Sequence, residues 1–263
     1  MTAPVPFGQY FPGSSPVHRL DARAKLGVVA SGTLVLFASD SWAAIVAVAV
    51  AALLAAAVSR VPWKVVARGL KPVAFILIFT IAANALRWQP EDALLRLGPV
   101  AVVGSGLWRG LYFGGRILVL VMGTSLVSLT TSPVALTDAL ASLMRPLRLV
   151  RVPVDDIATM LSIALRFVPT TAEEAERILV AQTARGAVFD QGGPVRRARA
   201  WIPVLVPLFV RLFRRADDLA VAMETRCYTG VGRTRLRESK MLVSDWAALC
   251  VAVTLAVIAV ILW

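Results

Sequence analysis

The sequence predicts an all-α membrane protein with about five transmembrane helices and long cytoplasmic helices between spans four and five. Three observations predict this class: an apolar composition, apolar stretches of span length, and basic residues that alternate between the two sides. Of the 263 residues, 58% are hydrophobic and 17% are charged, and the mean hydropathy is +0.73. A soluble core requires less apolar content than this, so we expect the chain to lie in a lipid bilayer.

Apolar stretches long enough to cross a bilayer define the expected spans. A hydrocarbon core about 30 Å thick needs about 20 apolar residues in a helix. Residues 26–58 carry a single charge, Asp40, and are too long for one span, so we expect a tight helical hairpin that turns at residues 39–41. The spans are predicted as two helices within 26–58, followed by 72–86, 110–130 and 243–263.

Lys and Arg in short loops predict the orientation, because they resist translocation. Basic residues precede the first span and separate the second from the third, whereas the turn at 39–41 has none and the loop at 87–106 balances them with acids. The region 131–242 carries 17 Lys and Arg against 11 Asp and Glu. The net charge of +12 therefore suits a cytoplasmic membrane face better than binding to nucleic acid. The expected segments are a cytoplasmic N-terminal segment (1–25), a transmembrane region of about four spans (26–130), a cytoplasmic helical region (131–242) and a C-terminal transmembrane helix (243–263).

Helix start and stop signals divide the cytoplasmic region. Ser132, followed by proline, is typical of a helix start, and a second helix is expected to begin near Pro153. Pro169 is expected to kink or end that helix, because proline lacks a backbone N–H. A capping box then precedes further helix, formed by Thr170 with Glu173 or by Thr171 with Glu174.

The last two cytoplasmic helices are expected to end at Gly186 and near Tyr228. Gly186 can supply the left-handed residue that closes a helix C-terminus. The final helix is expected to run from about residue 195 to residue 228, with Pro203 and Pro207 near its start. These prolines either fit the helix to the membrane surface or provide a bend that transmits movement, and we expect these apolar helices to lie along that surface.

Two arginines occupy matching positions at the predicted helix ends. The stretch ILVAQTARG (178–186) aligned over LAVAMETRC (219–227) places Arg185 opposite Arg226. Because a helix has 3.6 residues per turn, each arginine lies in line with the apolar residue seven positions earlier. In one interpretation the cation favours the helix dipole, by about 0.3–1 kcal/mol, and is otherwise solvated. In the other, each helix end enters a groove on a partner, where the guanidinium makes bidentate bonds to a carboxylate.

Several stretches resemble one family of membrane importers. The chain is similar to the transmembrane T component of energy-coupling factor (ECF) transporters, the cobalt-transport-protein-like family of vitamin and metal-ion importers. The resemblance covers most of the chain and is densest from residue 129 to residue 235. It is carried by HRLDARAKL (18–26), LTTSPVALTDALASLMRPLR (129–148), SIALRFVPTTAEEAERI (162–178), AQTARGAVF (181–189), IPVLVPLFVRLFRRADDLAVAMETRCYTG (202–230) and GRTR (232–235).

The resemblance implies roles for the repeated arginines. In that family, two Ala-Arg-Gly-type motifs at the ends of cytoplasmic coupling helices dock into grooves of two ATP-binding-cassette (ABC) ATPase subunits. Thr225 and Cys227 replace the usual alanine and glycine of the second motif, so we expect that helix end to be capped less tightly. By resemblance the docking residues are Ala184, Arg185 and Gly186 in the first motif and Thr225, Arg226 and Cys227 in the second.

The resemblance also implies partners, location and function. The membrane helices and coupling helices would hold a membrane-embedded substrate-binding S component. The chain would transmit ATPase motion to that component for uptake of a vitamin or a transition-metal ion. The expected location is the bacterial cytoplasmic membrane, with the N-terminus in the cytoplasm. The candidates for coupling or for contact with the S component are Pro169, Pro203, Pro207 and Arg116.

No cofactor is expected in this chain. The sequence contains no G-x-x-x-x-G-K-[ST] loop, so ATP and Mg²⁺ are expected in the partner ATPases, and the chain is not expected to be an enzyme. One histidine and two cysteines predict neither a metal site nor a disulfide framework.

Two other functions remain open. Asp155–Asp156 and Asp217–Asp218 suggest Mg²⁺–diphosphate binding in a membrane prenyltransferase, although adjacent helical residues point about 100° apart. A stand-alone permease would line a site at the midplane with polar groups, and Arg116, in the fourth span, is the main such group. This arginine either snorkels, packs against another component or takes a direct part in transport.

Overall fold

The computed structural model describes residues 10–88, 93–97, 100–229 and 241–262. Gly230 and the GRTR stretch at 232–235 lie outside these residues. Helices make up most of the described chain, which confirms the all-α class. The chain divides into two compact units, called unit 1 (Met1–Ala139 with Ser239–Trp263) and unit 2 (Leu140–Glu238).

The described elements follow one another as helices, with one small sheet between the fourth and fifth. The helices are α1 (Pro16–Arg19), α2 (Ala22–Ala38), α3 (Trp42–Ser59), α4 (Trp63–Ala85), α5 (Gly104–Thr130), α6 (Pro133–Leu143), a 3-10 helix (Arg145–Val150), α7 (Val154–Ala184), α8 (Pro194–Ala200), α9 (Ile202–Glu224) and α10 (Val243–Leu262). The strands are β1 (Leu86–Trp88), β2 (Ala93–Leu97) and β3 (Val100–Val103).

Among the described residues, three helices are long and apolar enough to cross a membrane: α3, α4 and α5. The turn between α2 and α3 lies at residues 39–41, as predicted. α2 has 17 residues, and α10 has 20 residues. α4 begins at Trp63 and α5 at Gly104, earlier than the predicted span starts, because Pro72 does not interrupt α4 and both helices continue beyond their apolar centres.

Contacts within unit 1 show that α2 and α10 run in the same direction. At the start of both helices, the Asp21 amide donates to Asp245 Oδ1 at 3.0 Å. Towards the other end, Ser39 Oγ donates to the Ala259 carbonyl at 3.5 Å. α2 and α10 therefore lie side by side and parallel.

The remaining long helices of unit 1 alternate in direction. Trp42 at the start of α3 packs edge-on against Trp108 near the start of α5, with 5.4 Å between ring centroids, so α3 and α5 are parallel. α4 is antiparallel to α5, since Gly106 at the start of α5 lies against Asn84 and Ala85 at the end of α4. One set of helices (α2, α4, α10) thus runs opposite to the other (α3, α5), which is the alternation that successive membrane spans require.

Buried polar contacts join the helix ends at one end of unit 1. Lys25 Nζ donates to the Thr130 carbonyl at 2.9 Å, at the end of α5. Asp245 is 1% exposed and accepts hydrogen bonds from the amides of Asp21 and Leu242. These bonds satisfy backbone groups that helix ends leave without partners. The sequence alone does not predict these partners of Lys25 and Asp245.

Glycines spaced four residues apart bring α4 and α5 into close contact. Gly106, Gly110 and Gly114 are buried on one face of α5. A Cβ atom added at Gly106 would lie 2.2 Å from the Asn84 carbonyl oxygen, and one added at Gly110 would lie 2.9 Å from Ile81 Cα. Small residues at this spacing allow membrane helices to pack backbone against backbone. The close approach of α4 and α5 therefore depends on these glycines.

A small antiparallel sheet occupies part of the predicted loop at 87–106. Its strand order is β1-β3-β2, and Leu86 pairs with Val102. The strands were not predicted. They pair backbone groups that a bare loop would leave to solvent, and the three valines among residues 100–103 favour extended backbone.

In unit 2 the structure differs from two helix boundaries predicted for the cytoplasmic region. α7 does not end at Pro169 but continues from Val154 to Ala184, so the predicted capping box at 170–174 is wrong. An interior proline costs about 3 kcal/mol, and the packing of α7 against α9 around Thr170 offsets that cost. The start at Ser132 is confirmed, because its hydroxyl accepts from the Ala135 amide at 3.3 Å.

The predicted single helix at 195–228 is also wrong, because it is divided at Trp201 into α8 and α9. Pro203 is in the first turn of α9. A proline ring clashes with the carbonyl four residues earlier if the helix continues unbroken. That position lies in α8, so Pro203 accounts for the break.

We expect Gly110→Ala to destabilise unit 1. The new Cβ would meet backbone of α4 at 2.9 Å, and overpacking of this kind costs about 1–3 kcal/mol. The thermal unfolding midpoint of the purified full chain in detergent should therefore fall by several degrees. Gly123→Ala is the matched control on α5, because a Cβ there has nothing within 4 Å; it should leave the midpoint unchanged or raise it. An equal fall in both variants would contradict the close contact.

Candidate functional site

The first predicted motif lies at the end of α7. The Gly186 amide donates to the Thr183 carbonyl at 2.9 Å, and the Ala187 amide donates to the Gln182 carbonyl at 3.0 Å. Gly186 has a left-handed φ of 87°. These two hydrogen bonds and the left-handed residue define a Schellman cap, in which Arg185 is the last residue before the turn. The predicted cap at Gly186 is confirmed.

The second motif, at the end of α9, has the same cap. The Cys227 amide donates to the Glu224 carbonyl at 2.9 Å, and the Tyr228 amide donates to the Met223 carbonyl at 3.0 Å. Cys227 takes the left-handed position with a φ of 56°, although a side chain there costs about 1–2 kcal/mol. The expected looser geometry at this end is not observed: both motifs make the same pair of bonds.

Arg185 and Arg226, called here the two end arginines, occupy equivalent positions in these caps. Both residues are exposed, and so are their neighbours Ala184 and Thr225. No hydrogen bond or ion pair joins either guanidinium to another residue in the described part of the chain. Each helix end therefore presents a charged group that a partner can reach.

Contacts between α7 and α9 show that the two helices are antiparallel. Gln182 Nε2 near the end of α7 donates to the carbonyl of Pro203 near the start of α9, at 3.3 Å. Glu174 forms an ion pair with Arg211, further along α9. The end of α7 therefore lies beside the start of α9.

This arrangement separates the two end arginines. Arg185 follows the end of α7, beside the start of α9, whereas Arg226 follows the far end of α9. α9 has 23 residues, which corresponds to about 35 Å of straight helix. The two end arginines therefore lie at opposite ends of the helix pair, roughly the length of α9 apart.

The apolar residues beside the end arginines differ from the predicted stripe. Ile178, seven residues before Arg185, is only 8% exposed and cannot contact a partner. Val180 and Val221, which the sequence repeat also aligns, are 64% and 59% exposed. The stripe was predicted from helical periodicity alone, which does not show which face the protein covers. Val180 and Val221 are therefore more accessible to a partner than Ile178.

Of the other site residues predicted from the sequence, Pro203 lies beside the first cap, where its carbonyl accepts from Gln182. Pro169 and Pro207 are inside α7 and α9, and Pro203 is in the first turn of α9. Arg116 belongs to α5 in unit 1, where its Nη2 donates to the Ser39 carbonyl at 3.1 Å.

Arg116 has several partners within this chain. Its Nη2 also donates to Tyr112 Oη at 2.8 Å and lies 3.4 Å from Asp40 Oδ1. The guanidinium carbon is 5.4 Å from the Phe37 ring centroid and 4.9 Å from that of Tyr112. Within this chain, Arg116 thus contacts the turn between α2 and α3, a contact that none of the three alternatives given from the sequence included.

The sequence patterns did not predict two contacts that align α7 with α9. Glu174, assigned above to a capping box, pairs with Arg211. Thr170 Oγ1 accepts from Arg215 Nη1 at 3.1 Å, and the Arg215 guanidinium carbon lies 5.4 Å from the Phe167 ring centroid. Residues four apart share a helix face. The matching spacing of Thr170 and Glu174 with Arg211 and Arg215 is the signal that could have predicted the pairing.

The two pairs of adjacent aspartates, Asp155–Asp156 and Asp217–Asp218, do not lie in surroundings typical of a diphosphate-binding site. Asp155 Oδ1 forms an ion pair with Arg148 at 2.5 Å, and Asp217 and Asp218 are exposed. Within the described ranges no group of three His, Cys, Asp or Glu side chains is placed to hold a metal ion. The prenyltransferase alternative gains no support from these contacts.

The fold and the helix ends define a multi-pass helical membrane protein that carries a pair of arginine-ended helices. Comparison with known proteins gives the family. The sequence profile described as cobalt transport protein matches residues 13–237. The energy-coupling factor transporter transmembrane protein EcfT of Thermosediminibacter oceani is 42% identical over 96% of this chain and 96% of that protein. EcfT of Thermanaerovibrio acidaminovorans is 45% identical over 93% and 91%, and EcfT of Heliobacterium modesticaldum is 42% identical over 100% and 98%.

The chain therefore belongs to the cobalt transport protein family, together with these energy-coupling factor transmembrane proteins. The match extends over nearly the whole chain and includes both arginine-ended helices.

We expect Cys227→Gly to tighten the cap of α9. Glycine adopts the left-handed conformation without the side-chain penalty of about 1 kcal/mol, so the amides of residues 227 and 228 should exchange with solvent about fivefold more slowly. Hydrogen exchange followed by mass spectrometry of the full chain measures this change. The reciprocal variant, Gly186→Cys, should speed exchange at residues 186 and 187 by a similar factor. Unchanged exchange in both variants would contradict the strain assigned to Cys227.

Proposed function

We propose that this chain is the transmembrane coupling subunit of an ECF-type ABC importer. In this proposal two ABC-type ATPase subunits bind ATP and Mg²⁺, and a membrane-embedded S component binds the substrate, a vitamin or a transition-metal ion. The chain itself catalyses no reaction and holds no cofactor. It lies in the bacterial cytoplasmic membrane with its N-terminus in the cytoplasm and transmits ATPase motion to the S component.

The observation that carries the proposal is a pair of exposed helix ends with the same cap geometry. Arg185 and Arg226 stand in the same Schellman geometry, and a guanidinium in a groove makes bidentate bonds to a carboxylate. Two similar ends suit two similar grooves. Because these ends are roughly the length of α9 apart, each can engage a different ATPase subunit.

The pairing of α7 and α9 supports the transmission of motion. Arg211 contacts Glu174 and Arg215 contacts Thr170 across the pair. Movement of an ATPase at either end therefore acts on both helices together. Pro203 and Pro207 lie in the half of α9 nearest to Arg185, where they are candidates for a bend that transmits this movement.

An exposed apolar face of α9 suits contact with the S component. Leu205, Phe209 and Phe213 recur at helical spacing and are 42%, 53% and 68% exposed. Arg211 and Arg215, which contact α7, lie on the opposite face. Exposed apolar residues that share one helix face mark a binding surface, and a membrane-embedded partner matches their chemistry.

Arg185→Ala combined with Arg226→Ala should abolish uptake. Truncating a desolvated anchor costs about 2–4 kcal/mol, which corresponds to about 30- to 700-fold weaker binding at each end. The ATPases should no longer co-purify with the tagged chain, while the amount of chain in the membrane stays the same. Arg185→Lys should weaken binding less than Arg185→Ala, because lysine keeps the charge but loses the bidentate geometry.

The matched control is Arg166→Ala combined with Arg177→Ala. Both residues are exposed arginines of α7, and their removal changes the net charge equally. This variant should retain ATPase binding and uptake in cells that express the whole transporter. Normal uptake by the Arg185/Arg226 double variant would show that the ATPases are seated elsewhere.

A further inference from the structure

A basic segment follows Arg185, and three of its arginines take no part in the contacts described so far. From residue 191 to residue 216 the sequence contains six arginines and no Asp or Glu. Two of the six, Arg211 and Arg215, contact α7. Three others lie together on the short helix α8: Arg196, Arg197 and Arg199.

The α8 arginines are exposed and have no acidic partner in the described part of the chain. Arg196, Arg197 and Arg199 are all exposed, and none takes part in an ion pair there. Three neighbouring cations without an acidic partner make this surface strongly positive, and a positive surface attracts an anionic partner.

Apolar side chains lie beside these arginines. Val195 is 74% exposed, Trp201 is 42% exposed and Ile202 is 51% exposed. Val195 lies on α8, and Trp201 and Ile202 follow directly where α8 ends and α9 begins. The Trp201 ring packs 5.3 Å from the Phe189 ring, which leaves its remaining surface available.

The relative placement of charge and apolar surface distinguishes α8 from α9. At about 100° per residue, Arg199 and Arg196 lie about 40° and about 100° around α8 from Val195, whereas Arg197 lies on the opposite face. In α9 the arginines lie opposite the apolar face. Arginines beside an exposed apolar side chain, with a tryptophan at the helix end, are typical of helices that lie in the headgroup region of a membrane.

We propose that α8, with Trp201 and Ile202, binds the anionic phospholipid headgroups of the membrane surface. The arginines contact the phosphates, and Val195, Trp201 and Ile202 enter the boundary between headgroups and acyl chains. This inference rests on the proposed function for the orientation of the helix pair, and it adds a specific lipid requirement. Because α8 precedes the start of α9, the contact holds the Arg185 end of the pair at the membrane surface.

The contact is tested with a fluorescent probe on α8 of the full chain in lipid nanodiscs. The native cysteines are both exposed, so Cys227→Ser and Cys250→Ser are combined with Val195→Cys, which carries the label. Nanodiscs contain phosphatidylcholine alone or with phosphatidylglycerol, and lipids brominated on the acyl chain quench a probe that touches them. We expect strong quenching only with phosphatidylglycerol.

Removal of the α8 charges should release the probe. Each basic residue near an anionic surface contributes about 1 kcal/mol, so Arg196→Gln, Arg197→Gln and Arg199→Gln together should lower the ratio of bound to free α8 by roughly 100-fold. The charge-matched control is Arg145→Gln, Arg166→Gln and Arg177→Gln, three exposed arginines elsewhere in the same region. The control should keep the quenching. Equal quenching in both lipid mixtures, or its loss in the control, would overturn the proposal.

A second measurement separates the membrane from the ATPases as the partner of α8. The α8 triple variant should still co-purify with the ATPases through the two end arginines. If it loses them, α8 belongs to the ATPase interface and the lipid proposal is wrong. The quenching is measured without ATPases, so failure of the Arg185/Arg226 test would overturn the proposed function and leave the lipid result standing.

Discussion

The ion pair between Glu174 and Arg211 fixes how α7 and α9 lie together, and the candidate site depends on that alignment. An exposed salt bridge contributes little free energy by itself, about 0–1 kcal/mol. Its importance here is geometric, because the Thr170–Arg215 and Gln182–Pro203 contacts occur in the same antiparallel register. Slipping one helix by a turn would break all three contacts at once. The positions of both helix ends follow from this register.

The two caps reach one backbone geometry from different residues. Gly186 adopts its left-handed conformation at little cost, whereas Cys227 adopts it against a side-chain penalty. Apolar side chains commonly accompany a Schellman cap at the two positions that Met223 and Tyr228 occupy. The second helix end thus has apolar residues where the first has Gln182 and Ala187. Packing at these positions offers a physical reason why the second motif tolerates the loss of glycine.

Sequence patterns predicted the elements whose causes are local. The charge at Asp40 inside an apolar stretch predicted the turn between α2 and α3, and Ser132 before a proline predicted the start of α6. Pro169 predicted a kink or a helix end, and α7 does not end there, because the cost of an interior proline is local but the packing that offsets it is not. The contact of Gly110 with α4 could not be predicted, since it depends on which helix lies opposite.

The candidate site also has features that local sequence patterns predicted and features that depend on packing. An internal repeat was enough to select Arg185 and Arg226, because the repeat reflects a local helix end. Their separation needed the register of α7 and α9, which the sequence carries only as complementary spacing on two helices. Ile178 shows the limit of periodicity: it lies in line with Arg185, yet it is buried. Exposure is a property of the packed pair and not of one helix.

Arg116 shows how unit 1 accommodates a charge through contacts within this chain. A guanidinium inside an apolar helix is costly unless polar groups or aromatic rings surround it. The short hairpin of α2 and α3 brings its turn beside the middle of α5, where the Ser39 carbonyl, Tyr112 and Asp40 meet this arginine. A longer hairpin would carry the turn past Arg116. The length of α2 and the position of the charge on α5 are therefore linked, and this link holds the turn against α5.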